Sequence, residues 1–277
     1  MGDSPEAAQY FQMIWSRLEA RKQLRHGFVS ELTGLEKNAL QPQDGKNETV
    51  KQYKVFTGTW NVGGVAPPDD LDLSDLLDIE TDYYDIYVLG FQEIVPLNAR
   101  NVLGPKQRSA ATKWHTLIAD ALNNSRSRTQ EASRTQFYSL IVRVVLLGDL
   151  NYRIAMDGGE ARQLVGARKW GMLLENDELL LELSAGRQFD GWREGHVTFA
   201  PTYKYRPNSD EFHDSTGAGH RRKQHRAPAW CDRILWRGKG MRQARYERCG
   251  GYRLSDHRPV RAVFHAVCEV AEGNVVR

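Results

Sequence analysis

The stretch LIVRVVLLGDLN (140–151) decides how the chain is read. Leu140 to Leu147 is a run of β-formers, apolar on both faces apart from Arg143, which predicts a strand in the middle of a sheet. Asp149-Leu150-Asn151 follows at once, and alternation in an extended segment puts the carboxylate and the amide on the same side. The same pattern recurs on either side. Tyr53 to Trp60 alternates and ends in Asn61-Val62-Gly63-Gly64, a strand running into a glycine turn. Tyr84 to Phe91 is a second strand, with Glu93 just beyond it. Short strands are expected at 197–205, 231–236 and 259–270, with Asp232 opening one and Asp256-His257 preceding another. Residues 110–122 place Trp114, Leu117, Ile118 and Ala121 on one helical face. Residues 124–136 are polar and aperiodic, hence a loop, and 159–186 reads as helix interrupted near Gly171. Strands and helices interleave without a regular βαβ repeat, which makes the class α/β.

Outside this block the chain changes character. Residues 4–25 predict a helix: Ser4 can cap, Pro5 suits the first turn, and Phe11, Ile14, Trp15 and Leu18 share a face. Its simplest role is packing on its own domain or on a partner. Polar, turn-rich residues up to about 50 read as a linker, so the organisation expected is 1–50 as helix and linker and 51–277 as the catalytic domain. The 277 residues carry 38 Lys+Arg against 35 Asp+Glu, a formal charge of +3, which is far from a polycation. A mean hydropathy of −0.59 and the lack of a long apolar run exclude a membrane-spanning helix, so membrane contact would be peripheral. Three cysteines (Cys231, Cys249, Cys268) without CxxC spacing indicate neither a disulfide framework nor a zinc site, and fit a reducing, cytoplasmic compartment. No signal peptide is seen, and Glu6 argues against myristoylation at Gly2.

Acidic and amide residues thus recur at strand ends. Taken singly, each is most simply a turn residue. Taken together, they suit phosphoester hydrolysis. Glu93, helped by Asp256 or Asn61, offers hard oxygen ligands for Mg²⁺, Asp149 could activate water, and His257 beside a carboxylate could stabilise or protonate a phosphoryl oxygen.

The flanking residues carry a family resemblance. TGTWNVGG (57–64), YVLGFQEIVPLN (87–98), LGDLNYRI (147–154), FAPTYKY (199–205), RAPAWCDRILW (226–236) and LSDHRPV (254–260) stand in the order seen in inositol polyphosphate 5-phosphatases, and the stretch GFQEIVPLNARNVLG resembles the plant branch. The resemblance implies the endonuclease/exonuclease/phosphatase fold, a two-sheet β-sandwich flanked by helices. It also implies Mg²⁺-dependent removal of the 5-phosphate from inositol polyphosphates or phosphoinositides. By the same resemblance Glu93 is the principal metal ligand, Asn61 lies beside metal and phosphate, and Asp256 lies against the metal site. Asp149 positions the attacking water, Asn151 holds the phosphate, His257 stabilises the transition state, and Asp232 orients that histidine. Tyr203, Lys204 and Arg226 match 4-phosphate contacts. Arg233 and the Arg221-Arg222-Lys223 run add cations for a dense anion. Gln224 stands where many relatives carry a basic residue.

One departure is larger. Between Glu93 and Asp149, relatives place further strands, with a GNKG-like segment and a T-H-L segment whose histidine contacts the scissile phosphate. This chain has neither, and His115 lies on the Trp114/Leu117 helix. The domain is therefore expected to be shortened between about 122 and 140, with central strands missing. Two other functions remain open: an impaired, inositide-binding or regulatory chain, and a nuclease of the same fold. The second is disfavoured by the headgroup motifs and the modest charge, and no nucleic acid is expected as a partner.

Overall fold

The computed structural model describes residues 49–96, 105–126, 143–186, 189–213 and 227–270. The helix expected at 4–25, the linker before residue 49, Arg226 and the Arg221-Arg222-Lys223 run lie outside them. The described strands are β1 (Thr49–Asn61), β2 (Ile86–Gln92), β3 (Val144–Asp149), β4 (Arg193–Glu194), β5 (Asp232–Arg237), β6 (Met241–Arg248) and β7 (Val260–Val270). The helices are α1 (Ser74–Leu77), α2 (Pro105–Arg126), α3 (Gly158–Gly166), α4 (Trp170–Leu174) and α5 (Glu178–Ala185). The strands form two sheets, of order β2-β1-β7-β6 and β3-β5-β4.

Period-two alternation decides what each sheet face meets. Val55 of β1 packs between the sheets with Ile234, Trp236, Val260, Ala262 and Phe264, while Val145 and Leu147 close on the same core from β3. Its neighbours Phe56 and Trp60 point the other way, onto Trp114 of α2 and Leu76 and Leu77 of α1. Outside the second sheet, Leu235 and Trp230 pack under apolar residues of α3, α4 and α5, Leu164, Leu174 and Leu179 among them. The result is the helix–sheet–sheet–helix sandwich expected of this fold class.

Several elements differ from the sequence reading. The strand expected in the middle of a sheet starts at Val144 and, among the described residues, pairs only with β5, so it lies at a sheet edge. Val144 to Leu147 are consequently only partly buried, although their sequence suits a strand covered on both sides. β2 is the corresponding edge of the other sheet. Its Tyr87, Leu89 and Phe91 face the α1–α2 layer. Ile86 and Val88, on the opposite face, stay 43% and 38% exposed, because β3 is the last described strand of the sheet that should cover them. Residues 197–205 form only isolated bridges at Tyr203 and Tyr205, in a segment where Pro201 has no N–H to donate.

The helix expected over 159–186 breaks into three. The Asp157 side chain caps the first by accepting from Gly159 and Glu160, and the Asp177 side chain caps the third by accepting from Leu180. β6 was hidden by its charges (Arg242, Arg245, Glu247, Arg248), which suit an edge strand, and a bulge at Gln243/Arg245 breaks its alternation. Among the described residues, no helix is long and apolar enough to cross a membrane.

Candidate active site

Strand register brings the polar strand ends together. β1 runs parallel to β2 with Asn61 opposite Gln92, so Glu93 emerges beside Asn61. β1 runs antiparallel to β7 with Thr59 opposite Val260, which delivers Asp256 and His257 to the same end. β3 and β5 pair with Asp149 opposite Asp232.

The side chains then form one chain of contacts. Nδ2 of Asn61 donates to Oε1 of Glu93 at 3.1 Å and to Oδ2 of Asp149 at 2.9 Å. The Gly63 amide donates to Oδ1 of Asn61 at 2.9 Å, which fixes the orientation of the side-chain amide. Asp149 Oδ2 lies 3.8 Å from Nε2 of His257, and the other ring nitrogen lies 2.9 Å from Oδ2 of Asp232. Asn61, Asp232 and His257 are 1%, 0% and 5% exposed, so these polar groups act with little water around them. The cluster Asp149, Asp232 and His257 is close enough to share a cation, although the histidine bridging the two aspartates already serves as one. Glu93 and Asp149, two carboxylates converging on one neutral amide, are the donor set that fits a hard divalent ion.

Burial pushes the Asp232 carboxyl above its usual range, against the attraction of His257 and a hydrogen bond from Thr202. For His257, burial works to lower the pKa, but Asp232, Asp149 and Asp256 outweigh it and raise it. Three carboxylates thus favour the charged imidazole against its burial. Burial also works to raise the Asp256 carboxyl, and the Lys204 ammonium, 2.6 Å away, holds it below the usual range instead. Lys204 takes Oδ2 of Asp256, while Oδ1 faces the Gly63 turn: a Cβ built at Gly63 would lie 3.3 Å from that oxygen.

Two site residues occupy the left-handed backbone region, Glu93 at φ 50° and Asn151 at φ 57°. Asn151 reaches the site by a turn and not by strand alternation, since its own N–H donates to Oδ1 of Asp149 at 2.9 Å. Arg153 donates to Oδ1 of Asn151 at 2.6 Å, which leaves the Asn151 amide as a donor toward a ligand.

The substrate cations are partly redrawn. Lys204 is at the site. Tyr203 is 4% exposed and packs its ring against the His257 imidazole, centroids 4.4 Å apart, which places it to orient that ring. Arg233 is a correction. It is fully buried, donates through Nε and one terminal nitrogen to the two oxygens of Glu194 at 2.6 Å each, and grips both oxygens of Asp177 with the other. Its fork is filled by protein, because residue 233 lies one step along β5 from Asp232 and alternation turns it to the opposite face.

Arg153, Thr202 and Ser255 were missed by the sequence reading. Thr202 Oγ1 accepts from the Cys231 and Asp232 amides, and Ser255 Oγ accepts from the His257 amide at 3.2 Å. Each lies inside a quoted motif, one or two residues from a site residue, and that adjacency was the available signal.

The chain that folds into this sandwich matches the sequence profile of the Endonuclease/Exonuclease/phosphatase family 2 over residues 58–143 and 140–263. Within that class, the type IV inositol polyphosphate 5-phosphatase 9 of Arabidopsis thaliana is 32% identical over 380 residues, covering 91% of both chains. The chain belongs to the inositol polyphosphate 5-phosphatases. Those 380 aligned positions outnumber the 277 residues present here, so the match runs across an internal stretch of the relative that this chain lacks. The two profile blocks meet at 140–143, immediately before β3.

Among solved structures, the 5-phosphatase domain of SpSynaptojanin, in complex with inositol (1,4)-bisphosphate and a calcium ion, superposes with a TM-score of 0.66 over 81% of this chain and 87% of its own, at 22% identity. A Cimex nitrophorin, as its ferrous NO complex, superposes with a TM-score of 0.55 over 78% of this chain and 99% of its own, at 21% identity. The fold alone therefore does not specify phosphate chemistry, and the side chains at the strand ends must carry it.

Proposed function

We propose that this chain hydrolyses the 5-phosphate of inositol polyphosphates or phosphoinositide headgroups, with Mg²⁺ held at Glu93 beside Asn61 and Asp256. The observation that carries this reading is the continuous contact from Glu93 through Asn61 and Asp149 to the His257–Asp232 pair. A bound divalent ion would supply Lewis-acid polarisation of a phosphate oxygen. Asp149, anchored by Asn61 and by the Asn151 amide, is placed to orient a water and accept its proton. His257 carries the proton that faces a phosphoryl oxygen as charge develops there, and Asp232 fixes its tautomer and direction. The Asn151 side-chain amide donates to the phosphate, and Lys204 supplies a partly exposed cation for a second phosphate. The inositol (1,4)-bisphosphate in the synaptojanin complex is what remains of the 1,4,5-trisphosphate once its 5-phosphate is removed, which supports this regiochemistry as a proposal here.

A second reading, an impaired inositide-binding chain, is favoured by β2 and β3 having no further strand beside them among the described residues. The assay is phosphate release from Ins(1,4,5)P₃ and from PtdIns(4,5)P₂ vesicles with and without Mg²⁺. The expected result is Mg²⁺-dependent release, abolished by Asp149→Asn. Its rate should be about 10²–10³ below that of a full-length relative, for want of one phosphate-contacting group. No release from the folded chain, with headgroup binding intact, would leave the binding reading. DNA nicking in the same buffer would favour a nuclease.

A further inference from the structure

A groove of ≈ 1210 Å³ runs between α2 and the segment from Leu71 to Tyr87, on the helix side of the first sheet and apart from the catalytic cluster. Its wall includes Tyr83, Tyr87, Leu117 and Leu122, and Tyr83 is 58% exposed. Its rim is acidic. Asp82 is paired with Lys54, but Glu80 and Asp120 are exposed and form no ion pair with any described residue. Such a surface fits an amphipathic, basic helix.

We propose that its occupant is the chain's own N-terminal segment, residues 4–25, which lies outside the described residues. Three observations select it. On a helix, Phe11, Ile14, Trp15 and Leu18 lie on one face, and the same face continues with Arg21, Lys22 and Arg25. The stripe is apolar in its first half and cationic in its second, matching an aromatic wall with an acidic rim. The charge signs are complementary. The geometry also permits it. β1 begins at Thr49, and Val55 pairs with Ile86, next to the groove's Asp82–Tyr84, so the N-terminal segment joins the domain about 20 Å along the strand from the groove. Residues 26–48 can span roughly 70 Å when extended, more than that distance needs. Apolar contact with the wall covers Tyr83, and the basic end neutralises Glu80 and Asp120.

The test uses the full chain with a benzophenone amino acid in place of Tyr83, a position exposed enough to accept it. Irradiation should give a monomeric product in which peptide mapping places the cross-link within residues 4–25. In the double variant Glu80→Lys, Asp120→Lys, the yield should fall roughly tenfold, and trypsin should cut after Arg21 and Arg25 faster by a similar factor. Adding Arg21→Glu and Lys22→Glu to that variant should restore the cross-link yield and slow the cut after Arg25, the tryptic site of the pair that remains. A cross-link elsewhere in the chain, a cross-linked dimer, or a yield unaffected by the charge reversal would each overturn the assignment.

Discussion

Replacing Arg233 by Ala separates two roles for one residue. As a substrate cation, Arg233 would matter to KM and little to folding. In the structure, its guanidinium stands between two carboxylates, Glu194 and Asp177, with all three side chains fully buried. Asp177 also caps α5 through its contact with Leu180, and Glu194 accepts from the Tyr246 hydroxyl, so one cation ties β4, β5, β6 and a helix start together. Removing it leaves two buried carboxylates without a counter-charge, held only by the Leu180 amide and the Tyr246 hydroxyl. Breaking a buried pair in this way costs about 3–5 kcal/mol, which at this chain length lowers Tm by roughly 6–20 °C. Arg233→Lys restores the charge but not the fork, and should recover only part of the loss. Urea unfolding followed by tryptophan fluorescence reads the stability, and Ins(1,4,5)P₃ kinetics read KM. If Arg233→Ala unfolds within about 1 kcal/mol of the parent while KM rises tenfold or more, the buried-clamp argument is wrong and the cation serves the ligand.

The turn after β1 should be intolerant of side chains. Gly64 has φ +75°, its amide donates to the Glu93 carbonyl at 2.7 Å, and a Cβ there would come within 2.7 Å of the Pro96 backbone, so Gly64→Ala should lose at least about 1–2 kcal/mol in chemical denaturation and shift Glu93 enough to weaken Mg²⁺ binding. For Asp78, burial alone would raise the carboxyl, but hydrogen bonds from Thr81, Tyr84 and Arg245 hold it below 3.8. Because the folded value is depressed, its stabilisation is present above the unfolded value and lost as the pH falls through the folded one; the stability gap between parent and Asp78→Asn should begin to narrow near pH ~5 and go on narrowing below the ordinary carboxyl value of 3.8 in urea titrations, and a constant gap would refute it. On the open edge, Val88→Lys should leave urea stability nearly unchanged and reduce light scattering on concentration, because it places a charge on an exposed apolar strand.

Much of the candidate site was legible because polar residues at strand ends keep their order and spacing in sequence. Asn61, Glu93, Asp149, Asp232 and His257 were all identified before any contact between them was known, and register then brought them together. What could not be read was direction within a motif. Asp232 and Arg233 are adjacent in PAWCDRIL, yet one faces the imidazole and the other a buried carboxylate pair, a consequence of period-two alternation that depends on knowing which face of β5 is which. Tyr203 and Lys204 diverge in the same way, one under the histidine and the other out to Asp256. The error over β3 has a different origin. Its composition records a strand covered on both sides, whereas among the described residues β5 is the one strand that pairs with it.

That mismatch bears directly on catalysis. Glu93 and Asp149 are each delivered by an edge strand, β2 and β3, and each strand is anchored on one side only among the described residues. The inner face of β2 meets β3 at Gly90, where a Cβ would come within 2.3 Å of Leu147, but Ile86 and Val88 further along the same face find no described strand opposite them. The two strands are thus locked together at the end that carries Glu93 and Asp149, and meet no further described strand at the other. Asn61, Asp232 and His257 come instead from β1, β5 and the turn that leads into β7, three strands interior to their sheets. Shortening the chain therefore leaves Asn61 and the Asp232–His257 pair on firm ground, and places the looser positioning on Glu93 and Asp149, the two carboxylates proposed to face the metal and the water. A deficit of this kind is one of carboxylate placement, so it should appear in turnover and in Mg²⁺ affinity before it appears in headgroup binding.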